Sequence, residues 1–338
     1  MRYFTTATLV AAAALTLTGC LERKEKITVK PDGSASIALT FSGDRSDLEQ
    51  GDAMPSQAGG WKVTITPDAK KPEEATLEAS RVFTPGALAQ TFATSPESAS
   101  ISLAFPTEIR VEERPDGTYY QFKRVYRQRA DARYTLARRE LQRDPKKAKL
   151  LETPPEELSP ADRLTLVSEF RASEVEKQHQ FILAGIAAAP ALPQQAGIRI
   201  LNAATQASDA FDFASAMKLL DAPASKERDA AIVAAANSFF SALQTGIDQA
   251  IEREITDASL KAAFRAAMAH EKADRAVTED LNDESFEVTL SLPGDLVASN
   301  GETVDGSVSW KFDGIALMDR DQILLATSRV VKPGDARR

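Results

Sequence analysis

The sequence predicts an α+β fold: an antiparallel sheet built from N- and C-terminal β segments, with a large helical insert between them. Three observations predict it. Apolar residues alternate from about residue 26 to 127, recur at threes and fours from about 130 to 277, and alternate again from residue 285. The C-terminal β block is too short to stand as a sheet of its own, so its strands are expected to complete the N-terminal one. The expected division is 1–19, a cleaved leader; 20–127, β; 128–278, helical; 279–331, β; and 332–338, a frayed tail. With 338 residues and 43% hydrophobic content, the chain has ample material for a buried core.

In the first β block Ile27 and Val29 lead into Pro31-Asp32-Gly33, after which Ile37, Leu39 and Phe41 share a face. Trp61, Val63 and Ile65 alternate, as do Ile101, Leu103 and Phe105. Ile109 and Val111 precede Pro115-Asp116-Gly117, followed by Tyr120 and Phe122. Both Pro-Asp-Gly triplets are hairpin chemistry: Pro presets φ, Asp bonds nearby backbone and Gly accepts positive φ. Residues 43–60, rich in Gly, Ser, Asp and Gln, read as a loop.

In the helical block Ser159-Pro160-Ala161-Asp162 reads as an N-cap, a first-turn Pro and a first-turn acid. The stripe is Leu164, Val167, Phe170, Val175, Ile182 and Ile186, ended by Pro190 and Pro193. Asp209 is the expected cap of a shorter helix carrying Phe211, Phe213, Met217 and Leu220. Ser225 is the expected cap of the longest helix, with Ile232, Phe239, Phe240, Leu243, Ile247, Ile251 and Ile255. A last helix covers about 258–276. Alternation then returns at Phe286, Val288, Leu290 and Leu292, at Val308, Trp310 and Phe312, and at Ile323 and Leu325, with Asn300-Gly301 and Asp305-Gly306 as turns. The aromatic residues of both kinds of block read as core.

The N-terminus, MRYFTTATLVAAAALTLTGC, has a positive charge at Arg2, a short apolar stretch and small residues before a cut, the grammar of an export signal. Leu17-Thr18-Gly19-Cys20 resembles the lipobox of bacterial lipoproteins. The resemblance implies cleavage between Gly19 and Cys20, acylation of Cys20, and a membrane partner through that lipid. Acyl chains of this kind hold a protein on a membrane durably. Cys20 is the only cysteine, so no disulfide is expected, and the fold must rest on its own core. Leu21 in place of an acid leans toward the outer membrane, facing the periplasm, if the source has two membranes.

The segments Ile27-Thr28-Val29-Lys30-Pro31-Asp32-Gly33-Ser34, Leu292-Pro293-Gly294, Ser299-Asn300-Gly301 and Val308-Ser309-Trp310-Lys311-Phe312 together resemble the LppM-type family of bacterial lipoproteins. That resemblance implies a mixed α/β envelope domain and, for some relatives, association with lipid ligands. It supplies no catalytic residues.

Composition narrows the remaining choices. A net charge of -8 argues against a dedicated nucleic-acid partner. No apolar run approaches the ~18–20 residues of a membrane-crossing helix. The two histidines, His179 and His270, read as helix-face residues: His270-Glu271 lacks the second histidine of a zinc helix because position 274 is Asp, and Glu176 with His179 is half of a paired-carboxylate site. No nucleophile elbow, phosphate loop or dinucleotide fingerprint occurs. The acids around Asp280, Asp283, Glu284, Asp319 and Asp321 read as turn residues. No catalytic, metal or cofactor residue is therefore assigned, and no cofactor is expected.

One charge feature stands apart: between Lys123 and Glu152 there are eleven basic residues against four acids. Arg127, Arg133, Arg138, Arg139, Arg143, Lys146 and Lys147 are candidates for contact with an anionic surface. The alternative is a solvated helix face paired with Glu156, Glu157, Glu169 and Glu174. The functional expectation is a lipid-anchored envelope protein that binds or scaffolds a partner without catalysis. The alternatives are a carrier of a lipid or other hydrophobic ligand and an envelope hydrolase using dispersed residues. A carrier needs a continuous apolar cavity of roughly 300 Å³ or more.

Overall fold

The computed structural model describes residues 21–50, 54–129, 145–153, 157–219, 222, 225–281 and 284–332. They form two units: a β unit from the described residues of 21–129 and 276–332, and a helical unit from those of 145–275.

The fold is α+β. In the β unit the strands are β1 (Glu22–Val29), β2 (Ala35–Asp44), β3 (Lys62–Pro67), β4 (Glu74–Phe83), β5 (Thr107–Arg114) and β6 (Gly117–Tyr126), then β7 (Ser285–Ser291), β8 (Asp295–Ser299), β9 (Glu302–Val304), β10 (Ser307–Asp313) and β11 (Gln322–Val331). The expected single antiparallel sheet is instead two. A seven-stranded sheet runs β3-β4-β2-β1-β7-β10-β9, and a four-stranded sheet runs β5-β6-β11-β8. Both mix strands from the two ends of the chain. The seam of the larger sheet is parallel, with Glu22 opposite Ser285 and Thr28 opposite Ser291. Alternation marks strands and faces but not partner or direction. A parallel pair needs a long crossover, and here the chain from residue 30 to 284, five strands and the helical segment together, makes it.

The two sheets share one core. Ile27, Val29, Ile37, Leu39 and Phe41 from the larger sheet and Tyr120, Phe122, Leu324 and Ala326 from the smaller belong to a single buried cluster. Rings meet across it, Phe122 on Trp310 at 6.2 Å and Tyr126 on Phe286 at 5.9 Å between centroids. The turns follow the local chemistry. Gly33 takes φ +79°, and Asp32 Oδ1 accepts from the Ser34 amide at 2.9 Å. Asp305 and Gly306 both take positive φ, the two-residue turn that suits a twisted hairpin between β9 and β10.

Several local expectations are corrected. Residues 101–105 are not a strand: Ser95 and Ser98 exchange capping bonds, Pro96 opens helix α2 (Pro96–Ile101), and Leu103 and Phe105 are buried from irregular chain. A strong helix start overrides three alternating apolar residues. Residues 43–60 are not all loop, because β2 continues to Asp44 and α1 (Arg45–Gln50) follows, with Leu48 buried. β4 shows only a weak apolar alternation, since its inward residues include the small Ala75 and Ala79 beside Leu77. In β11 the inward residues are Leu324, Ala326 and Ser328, whereas Ile323 and Leu325 face solvent. A one-residue slip exchanges the faces of a strand.

The helical unit contains α3 (Pro145–Glu152), α4 (Pro160–Ala188), α5 (Gln194–Ala210), α6 (Phe213–Leu219), α7 (Lys226–Glu254) and most of α8 (Ala258–Asp280), whose last turns belong to the β unit. Ser159 and Ser225 cap α4 and α7, their hydroxyls accepting from Asp162 and Arg228 amides. Helix α5 is an addition to the sequence reading, which stopped at Pro193. That Pro is its N-cap position. The cap of α6 is Asp212, not Asp209: Asp212 Oδ1 accepts from the Ser215 amide at 3.1 Å, and Asp209 pairs with Arg171. Leu164 is exposed, the buried face of α4 being Leu166, Val167, Phe170, Phe181, Ile182 and Gly185.

Ile200, Ala203 and Ala204 of α5 pack with Ile247, Ala250 and Ile251 of α7, while Phe264 of α8 lies against Gly185 of α4. A second cluster is aromatic, with Phe239 contacting Phe211 and Phe213 at 5.3 and 4.9 Å. By length and composition α7 is apolar enough to cross a membrane, which the sequence reading did not register. Its Ile232, Phe239, Leu243, Ile247 and Ile251 are buried within the helical unit.

A ninth described helix, α9 (Gly314–Asp319), follows β10 in the β unit, with Asp313 Oδ1 accepting from the Ala316 amide at 2.9 Å.

Candidate functional site

The chain enters the β unit abruptly. Leu21 is 4% exposed, and its carbonyl accepts the Ser285 amide at 3.0 Å. Glu22 is already in register with Ser42 on one side and Ser285 on the other. The strand after position 20 is thus a central strand of the larger sheet, not a linker.

The inward face of β1 carries Arg23 and Glu25 before it carries Ile27 and Val29. Both charges are buried and both are paired. Arg23 Nη2 donates to Glu284 Oε1 at 2.7 Å, and its guanidinium lies between the Phe41 and Phe286 rings at 5.2 and 5.3 Å. Glu25 receives Arg124 Nη1 at 2.5 Å and the Tyr126 hydroxyl at 2.8 Å. Arg124 Nε donates to Thr107 Oγ1 at 2.8 Å. Burial by itself disfavours the charged guanidinium, but Glu25 and Tyr126 together outweigh it and hold the Arg124 pKa above its ordinary value. Burial, reinforced by Glu25, pushes the Tyr126 phenol up, so it stays a protonated donor. A third buried arginine, Arg129, donates to Thr278 Oγ1 and to the Ile101 carbonyl.

Of these groups Arg23, Glu25 and Tyr126 line a small space of about 20 Å³, together with Phe92, Phe105 and Phe286. Two larger spaces are open grooves. One, about 560 Å³, lies over the four-stranded sheet and is lined by Glu108, Arg110, Lys123, Asn300, Leu325 and Thr327. The other, about 750 Å³, lies between α5 and α7 and is lined mainly by small and polar side chains such as Ala207, Ser238, Ala242 and Gly246.

The site residues read from the sequence are placed as follows. Gly19 and Cys20 lie outside the described residues, as do Arg133, Arg138, Arg139 and Arg143. Arg127 follows β6 in the β unit and pairs with Asp321 at 2.9 Å. Lys146 and Lys147 are in α3 of the helical unit, Lys146 exposed and the side chain of Lys147 outside the description. Arg124 and Arg129, counted in the same basic stretch, are buried structural residues and not surface ones. His179 Nε2 lies 3.3 Å from Thr205 Oγ1, and its Nδ1 lies 3.7 Å from Glu176 Oε2. Among the described residues no group of three or more His, Cys, Asp or Glu is placed to hold a metal.

The buried charges of β1 carry a signal in the sequence. Arg23 and Glu25 stand in phase with Ile27 and Val29, so the alternation itself points them inward.

No family model matches the chain, and no curated protein matches it. Among solved structures the chain is similar to the folded domain of LppM from Mycobacterium tuberculosis, determined by NMR, at 11% identity and a TM-score of 0.29, with 94% of each chain covered. A likeness at that level assigns no residue and no ligand.

Proposed function

We propose that this chain is a cell-envelope protein anchored to a membrane through acylated Cys20, and that it works by binding a partner at its surface rather than by catalysis. The observation that carries the reading is the junction at position 20: an export signal ends in Leu17-Thr18-Gly19-Cys20, and strand β1 begins at Glu22. A cut before Cys20 removes the leader and keeps every described strand and helix.

Two features support surface binding. Among the described residues, the space lined by Arg23, Glu25 and Tyr126 in the β-unit core is about 20 Å³, the size of a single water and far below the roughly 300 Å³ that a carried lipid needs. The buried ionisable groups Arg23, Glu25, Arg124 and Glu284 are engaged with one another, which is structural use of charge. The open groove over the four-stranded sheet, where Arg110, Lys123 and Glu108 border an apolar floor that includes Leu325, is the candidate contact surface.

The test is fractionation of cells carrying Cys20→Ser. The expected result is loss of membrane association or accumulation of the uncleaved precursor. Normal processing and wild-type partitioning of the variant would refute the anchor. Native mass spectrometry of the chain from Leu21 onward is expected to give an unliganded mass, and a co-purifying lipid would replace surface binding with the carrier reading.

A further inference from the structure

We propose that the Leu21 end of the seven-stranded sheet is the face this protein turns to the bilayer, with α9 and its exposed Ile315 at the lipid headgroups. The inference rests on the Cys20 anchor and adds to it which surface meets lipid.

The tether has no slack. Consecutive Cα atoms are about 3.8 Å apart, so the anchor atom can stray little from the residue that follows it. That residue, Leu21, is buried and bonded to Ser285, and the next is locked between two strands. Lipid chains on Cys20 therefore leave from the end of a central strand, and that end of the sheet is brought to the membrane with them.

The strand register shows what lies there. At the level of Glu22 the row across the sheet is Thr66, Thr76, Ser42, Glu22, Ser285 and Asp313. Neighbouring strands are about 4.8 Å apart, which places Asp313 roughly 10 Å from Glu22. Asp313 is the N-cap of α9. In that short helix Leu317 and Met318 face the core, whereas Ile315 is 48% exposed. An exposed aliphatic residue close to an acyl anchor is suited to the headgroup boundary. The far end of the sheet offers a control. Val82, 66% exposed, is opposite Ser36, and Ser36 is opposite Thr28 of β1. Thr28 is six residues beyond Glu22, about 20 Å along the strand.

The experiment uses the full acylated protein in vesicles containing phosphatidylcholine with a doxyl group on its acyl chain. The Cys20 sulfur is capped as a thioether, so a fluorophore attaches only to an introduced cysteine, Ile315→Cys or Val82→Cys. The expected result is quenching several-fold stronger at position 315 than at position 82. Equal quenching, or stronger quenching at 82, overturns the proposal while the anchor stands. A second variant carries ten Gly/Ser residues inserted between Cys20 and Leu21. It is expected to stay on the vesicles and to lose most of the difference between the two labels; an unchanged difference overturns the tether as the cause. A wild-type chain found without acyl groups on its N-terminal peptide overturns the anchor and this inference together.

Discussion

The β unit and the helical unit differ in the reach of their buried charge pairs. In the β unit charges go inside: Arg23 with Glu284 and Glu25 with Arg124, each pair joining segments far apart in sequence. In the helical unit the centre is aliphatic and aromatic, ion pairs such as Lys261 with Glu252 and Arg265 with Glu252 lie on partly or fully exposed side chains, and the buried Arg228 pairs with Asp229, its neighbour in sequence. The difference follows from connectivity. Helices joined by short turns find their neighbours through local apolar stripes. A sheet assembled from both ends of a chain must choose among many strand pairings, and a buried pair satisfied in only one register penalises the others. We read the buried pairs as registry devices on that ground.

Four measurements break or sharpen this contrast. The largest effect is expected for Arg124→Met, which leaves Glu25 buried without its cation and should cost about 3–5 kcal/mol in urea unfolding. Combining it with Glu25→Leu should recover much of that loss; a double variant as unstable as the single would show that packing, not charge, is at stake. Next is Gly185→Ala, whose new methyl would lie 2.7 Å from a Phe264 ring carbon. Overpacking should cost about 1–3 kcal/mol, with Phe264→Leu in the same chain relieving part of it.

Smaller is Ser225→Ala, which removes the hydroxyl accepting from the Arg228 amide and should cost about 1 kcal/mol, with Ser225→Asp close to wild type. The smallest effect is seen only in acid. Hydrogen bonds from Arg199 and Arg253 hold the Glu254 carboxyl down to about 2, from an ordinary 4.5. A lowered folded pKa contributes stability above the ordinary value, and that contribution is lost as pH falls from about 4.5 to about 2. Melting curves across that window should therefore fall less steeply for Glu254→Gln; an identical slope would show that Glu254 has no such role.

Legibility in the sequence tracked how local the controlling interaction is. Ser159 and Ser225 were readable as caps because a cap bonds three residues away. The 194–210 helix escaped notice because it opens on Pro193 without a side-chain cap bond, and its buried face is largely Ala and Gly. The 101–105 segment misled because two serines and a proline outweigh three alternating apolar residues. The alternation of Ile323 and Leu325 does not tell which phase of β11 faces the core, because residues on both phases are apolar. The candidate contact groove was not legible at all. It takes Glu108, Lys123, Asn300 and Leu325 from four separate segments that only the strand order brings together.

What the sequence by itself determined is the α+β class, with alternating stretches toward both ends and helical period between, because periodicity and capping act over a few neighbouring residues. Only the tertiary structure decided that there are two sheets, that β1 and β7 run parallel, and that Arg124 is a core residue rather than part of a basic surface. The reason is physical. Strand partners, their direction and the burial of a charge depend on groups hundreds of residues apart, and no local spacing records which of them will meet.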